Sequence, residues 1–392
     1  MRSVYLDHNA TTPLDPRVFE AMKPYLMEAF GNASSPHHYG RVAKQALEES
    51  RGIVAEAIGA RPEGIIFTSG GTEADNLAIR GISYRKRERK GHIITSSIEH
   101  HAVLRTCNDL EKDGFTVTYL PVDSQCRVDP DDIRKSIQKD TILISVMYAN
   151  NETGVIEPIS EIGKIAREYG VPFHSDAVQA VGKIALDARK LSTDLLSLSS
   201  HKIYGPKGIG ALVVGDTIEL SPVLTGGHHE GGLRAGTENI PGIVGFAHAL
   251  RIAREEIDTY QTRVSALRDK LESGLLDGIG HVEIHGIEAE RLPHTTSISF
   301  ASVEAESILL HLDLKGIAAS SGSACTTGEA EPSHVLLAMG ISPEIAQGTI
   351  RISLGRENTG EEVDYTVKVL KDAIRQLRSI SSQWNTVERK AL

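Results

Sequence analysis

Two neighbouring stretches decide how the chain reads: Val171-Pro172-Phe173-His174-Ser175-Asp176-Ala177-Val178-Gln179, and then Asp194-Leu195-Leu196-Ser197-Leu198-Ser199-Ser200-His201-Lys202-Ile203-Tyr204-Gly205-Pro206-Lys207-Gly208-Ile209-Gly210. Each opens on an apolar run too short for a helix and closes on polar residues, the signature of a buried strand. The pattern predicts strands over 171–174 and 194–198. In open α/β sheets ligands bind beyond the carboxyl ends of the strands, so Asp176, Gln179 and Lys202 fall where chemistry occurs. For Asp176 the other reading is a helix cap.

Working outward, the same alternation continues. Strands are predicted over 64–68, 92–95, 116–120 and 141–147, with helices over 41–58, 72–87, 100–113 and 159–169. This implies a parallel sheet covered by helices on both faces. Asn239-Ile240-Pro241 carries a cap residue and an early proline, and the helical pattern after it runs to about residue 273, long enough to bridge two domains. Strands over 295–300, 317–320 and 349–354 then alternate with helices over 304–314 and 360–377. The division expected is a large domain at 15–255, a smaller one over 256–380 and a tail at 381–392.

A chain of 392 residues is long enough for two such domains. Its net charge of −10 argues against a general nucleic-acid binder, which needs clustered cations. The run Arg85-Lys86-Arg87-Glu88-Arg89-Lys90 reads as the solvated end of a helix. Neither a secretory signal nor a membrane-length apolar run is present, so a cytoplasmic location is expected. The three cysteines, Cys107, Cys126 and Cys325, are too few and scattered for a disulfide framework.

Three motifs carry chemistry. Ser69-Gly70-Gly71-Thr72-Glu73, between a strand and a helix, is either an anion cradle of bare backbone and free N–H groups or a plain tight turn. Lys202 before a glycine-rich turn, with Asp176 at an equivalent strand exit, offers an imine-forming amine and a carboxylate for a pyridinium nitrogen. Pyridoxal phosphate requires that pair. Third, Cys325 lies in Ser320-Ser321-Gly322-Ser323-Ala324-Cys325-Thr326-Thr327-Gly328-Glu329, among small polar residues expected to form an accessible loop. Cys107 sits among apolar neighbours in a helical pattern and reads as core, and Cys126 as an incidental turn residue.

With these residues in view, the sequence resembles the cysteine desulfurases of the NifS/IscS type, within the class-V aminotransferase branch of fold-type-I pyridoxal-phosphate enzymes. The likeness runs from Tyr5-Leu6-Asp7 to Leu354-Gly355-Arg356 and includes Asn9-Ala10-Thr11-Thr12, Asn150-Asn151-Glu152-Thr153-Gly154 and Ala235-Gly236-Thr237-Glu238-Asn239. It implies a mostly parallel seven-stranded large domain and a smaller α+β domain that takes in residues 1–14. It implies further that Lys202 holds the cofactor and moves a proton, that Asp176 pairs with the ring nitrogen, and that Gln179 bonds the ring oxygen. His100 would stack on the ring. Gly71, Thr72, Ser199 and His201 would bind the phosphate, with Thr237 reaching across from the other subunit of a homodimer. Asn151 and Arg351 would hold the carboxylate of L-cysteine, and Cys325 would take its sulfur and pass it to an iron–sulfur scaffold or another acceptor. No resident metal is implied, although Cys325 could ligate a cluster transiently. One position departs from the family: Gly231 stands where an arginine is common. Trp384, the only tryptophan, is read either as folded back on its own domain or as an anchor for the acceptor.

Overall fold

Short apolar runs alternate with helical stretches between residues 65 and 214, and in a computed structural model the runs form one sheet. The structure describes residues 3–85, 90–322, 332–381 and 384. After a two-residue strand β1 (Val4–Tyr5), the sheet is built from β2 (Ile65–Thr68), β3 (His92–Ser96), β4 (Thr116–Leu120), β5 (Thr141–Ser145), β6 (Phe173–Asp176), β7 (Leu195–Ser199) and β8 (Gly210–Val214). Their order is β2-β8-β7-β6-β5-β3-β4. β8 runs antiparallel to both its neighbours and the other pairings are parallel, which makes the sheet mostly parallel.

Adjacent residues of these strands feed opposite cores, as a period of two requires. Phe67, Ile94, Ile144, Leu196 and Val213 join one cluster with the helices His38–Ile58, Ile159–Tyr169 and Ile240–Glu255. Their chain neighbours Ile66, Ile93, Leu143, Leu195 and Leu212 join the other, under the helices Gly71–Arg85 and His101–Lys112.

A further cluster gathers Val4 and Leu6 with Val264, Leu271, Ile298, Ile308, Ile350 and Leu370. It underlies an antiparallel sheet of β9 (Val282–Ile284), β10 (Thr295–Phe300), β12 (Ser320–Ser321) and β13 (Thr349–Ser353), while β11 (Ile317–Ala318) pairs with β1. The segment after β1 crosses to the first sheet: Asp7 bridges Ser353, while Thr12 N–H donates to His201 O and Asp15 N–H to Tyr204 O.

Two expectations need correction. The single helix expected from Asn239 to about residue 273 is two, Ile240–Glu255 and Ile257–Leu276. They meet at Glu256, whose ψ of 0° is off the helical value, and whose carboxylate is taken by Arg17 (2.7 Å) and Arg356 (3.6 Å). Cys126 does occupy a turn, at φ 69°, but it is fully buried among Ile98, Met147, Val155 and Val335. Trp384 lies 4.0 Å from the Arg378 guanidinium and edge-on to His281. Among the described residues no helix is long and apolar enough to cross a membrane.

Candidate active site

The carboxyl ends of β6 and β7 place Asp176 and Lys202 beside each other, and the crossing segment near residue 9 closes over them. Lys202 Nζ donates to the carbonyls of Asn9 (2.5 Å) and Ala10 (2.8 Å). Gln179 Nε2 donates to the same Asn9 carbonyl at 3.1 Å. The Asn9 side chain reaches the other way, donating to Asn151 O (3.0 Å) and Thr295 Oγ1 (2.9 Å). Arg351, on β13, donates from Nη1 to Asn151 O at 3.1 Å and from Nη2 to Asp7 Oδ1 at 2.9 Å. Asn9 therefore joins Lys202, Gln179 and Asn151, a part the sequence reading quoted in a motif without giving it a role.

Burial sets the electrostatics. It pushes the Asp176 carboxyl up to about 6, opposed by the Val178 N–H at 2.9 Å and by Lys202. His100 caps the helix His101–Lys112, its Nδ1 accepting from Ala102 N–H at 3.1 Å. Burial lowers its pKa to about 4, helped by the positive charge of Lys202, so the ring is neutral at pH 7, with its proton on Nε2. His201, also lowered to about 4 by burial, bonds Thr11 Oγ1 at 3.1 Å.

At the other strand exit, Gly70 adopts φ 154°, where glycine is at ease, and a Cβ there would meet only Ser199 Oγ, 4.0 Å away. The helix Gly71–Arg85 begins at this point, with Thr72 exposed in its first turn. Ser199 Oγ is buried without a hydrogen-bond partner, as is Gln179 Oε1. Unmet buried polar atoms are costly and so point to an occupant. These features suit pyridoxal phosphate: a carboxylate for the ring nitrogen, an amine for the aldehyde, and an unmet hydroxyl beside bare backbone at a helix N-terminus for the phosphate.

Thr237, expected at the phosphate of the other subunit, is exposed. Cys325 lies outside the described residues. The two described cysteines are poor nucleophiles, since burial pushes Cys107 up to about 12 and Cys126 well above its ordinary value. At the family departure, Gly231 adopts φ 64° next to Glu230 at φ 48°, and Arg51 holds the Glu230 carboxylate through two bonds of 2.8 and 2.9 Å. The Glu230 carboxylate is thus held by a cation from the helix His38–Ile58.

A model of the class-V aminotransferase family matches residues 4–366. The chain is 52% identical over 380 residues to the cysteine desulfurase IscS of Dictyoglomus turgidum, covering 97% of this chain and 96% of that one. It is 50% identical over 380 residues to the cysteine desulfurase IscS of Methanosarcina thermophila, covering 97% and 94%. Among solved structures, a NifS-like protein matches with a TM-score of 0.90 at 40% identity, covering 96% of this chain and 100% of that one. SspA in complex with cysteine matches with a TM-score of 0.81 at 38% identity, covering 90% and 99%. The chain belongs to the class-V aminotransferase family, in its cysteine desulfurase branch.

Proposed function

We propose that the protein is a pyridoxal-phosphate-dependent cysteine desulfurase, converting L-cysteine and the Cys325 thiol into L-alanine and a Cys325 persulfide. The observation that carries this reading is the meeting of Lys202, Gln179 and Asn151 at Asn9, with Asp176 beside Lys202 and Arg351 on the Asn151 carbonyl. When bound, the cofactor supplies an electron sink for the pair released at the substrate α-carbon.

The protein's own residues do the rest. Lys202 anchors the cofactor and carries the α-proton, and Asp176 holds a proton on the ring nitrogen. Gln179 bonds the ring oxygen, while Gly71, Thr72, Ser199 and His201 hold the phosphate. His100, neutral at pH 7 and with Nδ1 engaged by Ala102 N–H, stacks on the cofactor ring and presents its Nε2 proton to the substrate sulfur. Arg351 and Asn151 grip the substrate carboxylate; a guanidinium fork suits that planar anion. The Cys325 thiolate attacks the substrate sulfur: an S–S bond forms, the C–S bond breaks, and the carbon gains the electron pair and a proton. Sulfur then passes to an acceptor such as an iron–sulfur scaffold.

The same reading includes a homodimer with shared sites, Thr237 reaching the partner's phosphate. It is supported by an exposed apolar group, Leu26, Met27, Phe30 and Tyr39, around the end of the helix Pro16–Met27. The remaining functions are an aminotransferase without need of Cys325, or a scaffold without turnover. Anaerobic incubation with L-cysteine separates them. Alanine and sulfur in equal amounts, abolished by Cys325→Ala, is the expected result. Dependence on an added keto acid, or no alanine at all, refutes it.

A further inference from the structure

Lys202 serves the reaction twice, as the cofactor's anchor and as the carrier of the α-proton, and between those roles its amine must be free. Nζ donates to Asn9 O at 2.5 Å and to Ala10 O at 2.8 Å, two consecutive carbonyls of the crossing segment. Gln179 Nε2 shares the Asn9 carbonyl at 3.1 Å, using its second lone pair.

These carbonyls are held from both sides. Asn9 N–H donates to Ser353 Oγ on β13 at 2.9 Å, and Thr12 N–H donates to His201 O after β7 at 2.9 Å. The Asn9 side chain, 1% exposed, adds bonds to Asn151 O (3.0 Å) and Thr295 Oγ1 (2.9 Å). Asn151 O also receives Arg351 Nη1 at 3.1 Å. One buried side chain thus links the carbonyl that holds the amine to the turn assigned to the substrate carboxylate.

Hydrogen bonds to the charged form of an amine favour that form, so a carbonyl pair makes Lys202 a stronger base. Lys183 works against an ammonium there. It is 2% exposed, bonds His294 Nε2 at 3.0 Å, and is pushed down to about 7 by burial and by the charges of Lys202 and Arg351. That repulsion is reciprocal, and Asp176, which also feels Lys202, is committed to the ring nitrogen.

We propose that the Asn9 and Ala10 carbonyls are the seat of Lys202 whenever substrate has displaced it from the cofactor, and that the Asn9 side chain is a positioning residue that fixes this seat relative to the substrate. In the step served, the Cα–H bond breaks, its electron pair goes to the sink the cofactor supplies, and the proton adds to the Nζ lone pair. The inference rests on the desulfurase reading above, in which Lys202 moves that proton.

The test uses holoenzyme of Asn9→Ala, Thr295→Val and the double variant, with L-alanine in D2O, so that Cys325 takes no part. Two quantities are read: the rate at which saturating alanine loses its α-proton signal by NMR, and the alanine concentration that half-saturates the change in cofactor absorbance. Asn9→Ala should slow exchange by roughly tenfold or more, because a small displacement of the base costs rate steeply. Thr295→Val, which removes one anchor of Asn9, should slow it about threefold. Half-saturation should stay within about threefold in each, since Arg351 and Asn151 remain. The double variant should be no more than about twofold slower than Asn9→Ala, because Thr295 acts through the side chain already removed.

Unchanged exchange in Asn9→Ala overturns the inference. So does half-saturation that rises by the factor by which exchange falls, as a damaged pocket gives, or losses that multiply in the double variant, which mark two independent injuries. If Asn9→Ala does not accumulate as holoenzyme, Thr295→Val alone decides between the first two outcomes. If the unmodified enzyme exchanges no α-proton from alanine, Lys202 does not carry it, the desulfurase reading has failed at that residue, and the role of Asn9 falls with it.

Discussion

Replacing Arg351 by lysine tests the substrate-binding assignment most directly. A guanidinium offers five N–H groups in a fixed fork. Here Nη1 serves Asn151 O, Nη2 serves Asp7 Oδ1, and Nε is buried with no partner. A substrate carboxylate would therefore be met by Nε and a remaining Nη hydrogen, two charge-assisted bonds worth about 1.5–3 kcal/mol each. Lysine keeps the charge and can make one of them. The expected loss is thus a single bond, about 1.5–3 kcal/mol, or roughly 10- to 150-fold weaker cysteine binding. Titration of the cofactor absorbance with L-cysteine in a Cys325→Ala background reads this without turnover. Cysteamine, which has no carboxylate, is the control, and its affinity should change by no more than about twofold. Cysteine affinity unchanged in Arg351→Lys, or an equal loss for cysteamine, would refute the assignment.

Borohydride reduction of the holoenzyme followed by peptide mapping should place the pyridoxyl group on Lys202; recovery on Lys207 of the same turn would be decisive against it. Glu99 gives a pH prediction. Burial raises its carboxyl to about 8 from an ordinary 4.5, despite hydrogen bonds from Ser96 Oγ (2.5 Å) and Met147 N–H (2.9 Å). The folded state holds that proton more tightly than the unfolded chain, so the contribution is whole below pH 4.5 and is lost as pH rises through 8. At about 1.4 kcal/mol per unit, Glu99→Gln should gain several kcal/mol relative to the unmodified protein between pH 5 and 8.5, read from Tm at each pH. A Tm difference that stays constant over that range contradicts the protonated carboxyl. On the homodimer reading, Met27→Glu with Phe30→Glu should yield a monomer that retains cofactor poorly; sedimentation showing a fully active monomer of the unmodified protein would remove the shared site.

Much of this site was legible because strands announce themselves. The apolar runs before Asp176 and Ser199 are buried on both faces, so their ends, and the residues after them, could be located without any long-range knowledge. The strand β8 is not legible, because Gly205-Pro206-Lys207-Gly208 reads as a turn and Gly210 to Val214 is as apolar as a buried helix segment. The seventh strand was expected only from family likeness. Asn9 escaped for a different reason. It acts through contacts with residues distant in the chain, Asn151 and Thr295 among them, and neither local pattern nor spacing encodes such a meeting. The break at Glu256 is of the same kind, since its cause is Arg17 and Arg356 rather than any helix-breaking residue nearby.

The crossing segment has a practical consequence for protein engineering. Val4 and Leu6 are pinned in one hydrophobic cluster, and only a few residues later Asn9 and Ala10 hold the amine of Lys202. The backbone between them, at most about 3.6 Å per residue, has little slack. Inserting or deleting one residue between Leu6 and Asn9 would therefore displace the carbonyls that hold the reactive amine, while leaving Val4 and Leu6 in their cluster.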